Sequence, residues 1–96
     1  MDVKEVKDYA IKVLISSTPK EDVEQKIYTF ESFFNNQLID TNRLLKGCIN
    51  HYYDKKYKEN KMNSFNTVID CAIKFGVSTS TVNNTIYKFK KVRLLF

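Results

Sequence analysis

The sequence predicts an all-α fold of about five helices, and a few observations carry that prediction. Gly occurs twice and Pro once in 96 residues, and so few breakers favour long helices over tight turns. Apolar residues recur at steps of three and four through most of the chain, which is the helical period. Convincing strand patterns are missing; only Val92-Arg93-Leu94-Leu95-Phe96 has strand-friendly residues, and it reads as a weak strand at most. Apolar content is 43%, enough for a folded core and too much for a disordered chain.

The first helix is expected over residues 2–16, with Val3, Val6, Ala10, Val13 and Leu14 on its inner face and Ser16-Ser17 ending it. Thr18-Pro19-Lys20-Glu21 then reads as a helix start. Thr18 is the cap, Pro19 suits the first helical position, and Glu21 completes a capping box. The second helix should run to about Asn35, with Val23, Ile27, Phe30, Phe34 and Leu38 as one stripe. That stripe is an ordinary core face or, because its steps resemble a coiled-coil seam, the contact of a homodimer. Asp40-Thr41-Asn42 offers the next cap. The third helix is expected over about 41–58, with Leu44, Leu45, Cys48, Ile49, Tyr52 and Tyr53 inward. Its basic, aromatic end at Tyr53–Lys61 suits a phosphate-contacting surface or a solvated helix end, and 58–64 reads as a linker. The expected organisation is an N-terminal helical part, 1–60, for dimerisation or interaction, followed by a part at 61–96.

Residues 68–87 are the most informative segment. They read as a helix, a sharp turn and a second helix. Ser64, or else Asn66, caps the fourth helix, with Phe65, Ile69, Ala72 and Ile73 facing inward. Gly76 takes the turn, where φ is often positive. Ser78 or Thr79 caps the fifth helix, whose buried stripe would be Val82, Ile86 and Phe89. Ala72 four residues before Gly76 and Val82 six after it is the spacing that two crossed helices need.

Charge is divided along the chain. Residues 1–42 carry five Lys against eight acidic residues, a net −3, whereas residues 43–96 carry nine Lys and two Arg against three acids, a net +8. The basic half contains the two-helix segment, so a polyanion is its natural partner. If the fifth helix enters a DNA major groove, Ser78, Thr79, Ser80, Asn83, Asn84 and Tyr87 are its exposed early positions. Asn pairs bidentately with adenine, and the Thr methyl suits thymine. Arg, the usual guanine reader, is missing from these positions, which leans the target towards A·T. Lys74, Lys88, Lys90, Lys91 and Arg93 would supply phosphate charge.

Phe75-Gly76-Val77-Ser78 followed by Ser80-Thr81-Val82 resembles the turn and second-helix start of small bacterial and phage helix-turn-helix regulators. It is similar also to the DNA-binding domain of invertase-type recombinases and to the promoter-reading region of sigma factors. The resemblance covers about 20–30 residues. It implies a tri-helical helix-turn-helix binding double-stranded DNA, with Thr79, Ser80 and Asn84 at base-contacting places and Ser78 and Asn83 at backbone-contacting ones. Thr85 departs from the pattern, because many members have a branched apolar residue there; Ile86 would serve instead by a slight rotation of the helix.

The reading that follows is a cytoplasmic, sequence-specific transcription regulator, expected to be a homodimer and possessing no enzymatic activity. Its N-terminal half would make the dimer contact or bind a protein such as RNA polymerase. The alternatives are a phage or plasmid packaging or replication accessory, and a protein-interaction module, an anti-activator or adaptor, that uses the same helices. Cys48 and Cys71 read as reduced core residues. Cys48-x-x-His51 offers two zinc ligands where a structural site needs about four, so no metal or other cofactor is expected. His51 is the sole histidine and has no paired nucleophile. Met1 leads into Asp2-Val3-Lys4-Glu5 without an apolar run, so no signal peptide or membrane span is expected. Richness in Asn, Lys, Ile, Tyr and Phe fits the A·T-rich coding of a low-GC bacterium or its phage. The Leu94-Leu95-Phe96 end is expected to pack back on the core.

Overall fold

Five α-helices carry the chain in the computed structural model, which describes residues 3–94: α1 (Val3–Ser17), α2 (Val23–Asn35), α3 (Thr41–Glu59), α4 (Ser64–Phe75) and α5 (Thr79–Lys88). The all-α prediction holds. No strand occurs among the described residues; residues 92–94 are irregular, and Leu95 and Phe96 lie outside the described residues. No helix is long and apolar enough to cross a membrane.

The longest helix, α3, is the axis of the fold and packs against α1, α4 and α5, while α2 packs on α1. One cluster of buried side chains runs from Val6, Ala10 and Leu14 through Phe30, Leu44, Cys48 and Ile49 to Val68, Cys71, Phe75 and Val82. Small residues sit where helices meet: Ala10, Cys48 and Cys71 are completely covered. Rings fill the space between them. Tyr9 lies edge-on to Phe75 at 5.4 Å and Tyr52 edge-on to Phe75 at 5.6 Å, a favoured geometry for aromatic pairs. Burial pushes both thiols, Cys48 and Cys71, up to about 12, so they are neutral, unreactive core groups.

Helix α1 buries Val6, Ala10, Val13 and Leu14 as its periodicity predicts, but Val3, at its outer end, is half exposed. The predicted capping box before α2 does not form. Thr18 turns inward and its Oγ1 has no hydrogen-bond partner. The chain starts α2 instead through a 3-10 turn at Lys20–Asp22, in which the Asp22 N–H donates to the Pro19 carbonyl at 2.9 Å. Phe30 is buried and Val23, Ile27 and Phe34 are half-buried, with Ile27 and Phe34 packed on the core. Ile27, Phe30 and Phe34 of the stripe therefore serve as a core face within the chain. Leu38 does not extend it; that side chain is exposed and Ile39 packs on the core in its place.

Helix α2 ends as Asn35-Asn36 predicts. Gln37 adopts left-handed backbone, φ 58°, so that the Leu38 N–H reaches back to the Phe33 carbonyl at 2.9 Å. Asp40 caps α3, its carboxylate accepting from the backbone N–H groups of Asn42 (2.9 Å) and Arg43 (3.3 Å). The polar stretch read as a linker is a fixed turn. Lys61 and Met62 are both left-handed, φ 54° and 65°. Asn60 holds the turn to α4, its Nδ2 donating to Asp70 at 2.9 Å and to Thr67 at 3.3 Å.

Two residues of α3 that hydropathy passes over are buried, Gly47 and Asn50. The segment after α5 crosses the helix there. A Cβ on Gly47 would stand 3.1 Å from the Leu94 side chain, so glycine makes room for the segment. Asn50 Nδ2 donates to the carbonyls of Phe89 (3.0 Å) and Val92 (2.8 Å). Leu94 thus packs back on the core, as expected for the first residue of the terminal apolar triplet.

Candidate nucleic-acid interface

Gly76 makes the α4–α5 turn. Its backbone is left-handed, φ 62° and ψ 36°, a region that costs other residues about 1–2 kcal/mol. The turn returns the chain so that the Val77 N–H donates to the Ala72 carbonyl at 3.1 Å. Ser78 then caps α5, its Oγ accepting from the Thr81 N–H at 3.1 Å and lying 3.0 Å from Thr81 Oγ1. That bond leaves other first-turn N–H groups of α5 free to face an anion.

The start of α4 and its inner face differ from the sequence reading. Its cap is Asn63, whose side chain accepts from the Asn66 N–H at 3.0 Å, rather than Ser64 or Asn66. Its buried residues are Thr67, Val68, Cys71 and Phe75. Phe65 and Ile73, expected inside, are 74% and 76% exposed, and Ile69 and Ala72 are half-buried. The helix is rotated because Phe75 is the large side chain that fills the space beside Tyr9 and Tyr52. Cys71 and Val68 follow it one and two turns back. Thr67 can join them because its hydroxyl is satisfied, donating to the Asn63 carbonyl at 2.7 Å.

Helix α5 is held by Val82, completely buried, and Thr85, 2% exposed, with Ile86 half-buried. Thr85 itself therefore takes the place of the branched apolar residue, and Ile86 does not replace it. Its methyl packs like that of Val, while its hydroxyl donates to the Thr81 carbonyl at 2.8 Å. Phe89, expected in the buried stripe, is 40% exposed, with the Lys46 ammonium 3.9 Å above its ring, a favourable cation–π distance.

With Val82 and Thr85 inward, Thr79, Ser80, Asn83, Asn84 and Tyr87 stand exposed along the other side of α5, and Lys88 ends the helix. These are short hydroxyls, two amides and a phenol, able to donate and accept at base edges without bringing charge to them. Helix α5 has no acidic residue. The one acid of α4, Asp70, is half-buried and held by Asn60. Lys74, Lys90 and Lys91 are exposed and border this face in sequence. Arg93 is placed elsewhere: its guanidinium lies 3.8 Å from Asp54 on α3, in a cleft with His51, Lys55 and Lys58. The sequence placed Lys55 and Lys58 on a basic run, but nothing in it put Arg93 beside them.

In the rest of the chain, His51 Nδ1 shares a 2.9 Å hydrogen bond with the Tyr9 hydroxyl, and the Cys48 thiol donates to the Val6 carbonyl at 3.9 Å. Burial, with help from Lys55, lowers the His51 pKa, against an opposing pull from Asp54. Among the described residues no three His, Cys, Asp or Glu side chains converge as a metal site would require. Compared with protein-family models, curated proteins and solved structures, the chain matches none.

Proposed function

We propose that this chain is a small, non-enzymatic transcription regulator that binds double-stranded DNA sequence-specifically, with α5 in the major groove. One observation carries the reading: a capped helix, anchored by Val82 and Thr85, presents Thr79, Ser80, Asn83, Asn84 and Tyr87 on its open face. Helix N-termini of this kind meet base edges and phosphates. The net +8 of residues 43–96 supports a polyanionic partner. Affinity comes from Lys74, Lys88, Lys90 and Lys91, and specificity from the uncharged side chains between them. In this reading Arg93, beside Asp54, Lys55 and Lys58, meets phosphate outside the groove that α5 enters.

The N-terminal half serves protein contact in this reading, with a second copy or with RNA polymerase. An open cleft whose apolar side is Leu14, Phe30, Phe33 and Ile39 and whose polar side is Asp22, Gln25, Lys26 and Thr29, with Phe33 half exposed, supports it. The experiment is a selection of duplexes from a random pool at two salt concentrations. An enriched motif supports specific reading, and replacing two of the named lysines should flatten the salt slope by about two. Binding that enriches nothing and vanishes with salt leaves only a basic surface. If Asn84→Ala with Lys88→Ala alters no duplex binding, the same helices face a protein.

A further inference from the structure

The α4–α5 pair carries more than the α5 side chains. Phe65, Val68 and Ile69 of α4 and Thr79 and Asn83 of α5 line one cleft. Phe65 is 74% exposed at its mouth, so the apolar wall of this cleft is continuous with the face proposed to read DNA. Such a wall is a poor neighbour for phosphate oxygens, which need donors. On the edges of the base pairs in the major groove, one group is apolar, the C5-methyl of thymine. The opposite side of the cleft carries the Asn83 amide, which fits adenine, and the Thr79 methyl. Charge favours nucleic acid over an acidic-residue-seeking partner: α5 has no acid and Asp70 of α4 is engaged by Asn60.

We infer that Phe65, backed by Ile69, receives a thymine C5-methyl and so is a specificity-determining residue on α4 for an A·T-containing site. The inference rests on the DNA-reading role proposed for α5. It sharpens that role, because it puts part of the specificity on a helix otherwise assigned to packing and, through Lys74, to phosphate.

The test uses the full chain and a duplex that the wild type has selected from a random pool. Thymines are replaced one at a time by deoxyuridine, which removes one methyl and leaves base pairing unchanged. At one position the wild type should lose affinity about fourfold, the effect of one buried methyl. Phe65→Ala should bind the thymine duplex about fourfold more weakly and show no further loss with deoxyuridine at that position. Phe65→Leu, still apolar, should keep part of the difference. Unchanged circular dichroism melting of these variants excludes misfolding. Equal deoxyuridine effects in wild type and Phe65→Ala, or no effect at any position, overturn the inference alone and turn the α4 face towards a protein. Absence of any duplex binding overturns both it and the proposed function.

Discussion

Asn50 gives the strongest stability prediction, because its role rests on two hydrogen bonds from one buried amide. The side chain is 2% exposed, and its Nδ2 donates to the Phe89 and Val92 carbonyls at 3.0 and 2.8 Å. Asn50→Ala removes both bonds, each worth about 0.5–1.5 kcal/mol net. The orphaned carbonyls keep some satisfaction: the Phe89 oxygen still accepts from the Val92 N–H at 3.0 Å. The desolvation penalty is therefore partial, and the loss should total about 2 kcal/mol. In a domain of this size that lowers Tm by about 8–16 °C. Asn50→Asp should be at least as damaging at neutral pH, because a carboxylate would face two carbonyl oxygens. Urea titration with circular dichroism measures both. A loss below about 0.5 kcal/mol for Asn50→Ala would refute the argument that this side chain clamps residues 89–94 to α3.

Three other outcomes follow from the packing. Thr85→Val should be neutral or stabilising by up to about 1 kcal/mol, since the lost hydroxyl bond leaves no orphan: the Thr81 carbonyl is an ordinary helix acceptor; a clear loss in urea titration would contradict the packing described for α5. Phe75→Ala should cost about 3–5 kcal/mol, whereas Phe65→Ala should change stability by less than about 0.5 kcal/mol, and comparable losses would restore the rotation of α4 first read from its sequence. His51 has its pKa lowered in the fold by burial, so the unfolded chain takes up the proton first, near pH 6.5. Stability is then full above about pH 6.5 and falls as pH drops from there towards the folded-state value; His51→Gln should flatten that slope in urea titrations between pH 7 and 5, and an unchanged slope would remove His51 as its source.

Sequence periodicity by itself determined the number and order of the helices, because 3.6-residue patterning and scarce breakers are local properties. It also determined the turn, where glycine is the least strained residue at φ 62°, and the α5 face, since Val82 had to point inward and thereby fixed Thr79, Ser80, Asn83 and Asn84 outward. The rotation of α4 was not legible. Counting Phe65 and Ile73 as inward weighs hydropathy alone, whereas Phe75, packed with Tyr9 and Tyr52 from two other helices, sets the angle, and Thr67 and Cys71 become buried because of it. The same holds for Thr85, whose hydroxyl is satisfied locally, and for Asn50 and Gly47, whose burial depends on a segment about 40 residues away along the chain. Tertiary structure also decided that the Val23–Phe34 stripe faces α1 and that Arg93 lies by Asp54. Both choices depend on which neighbour covers a side chain, and a single sequence encodes that neighbour only through the whole fold.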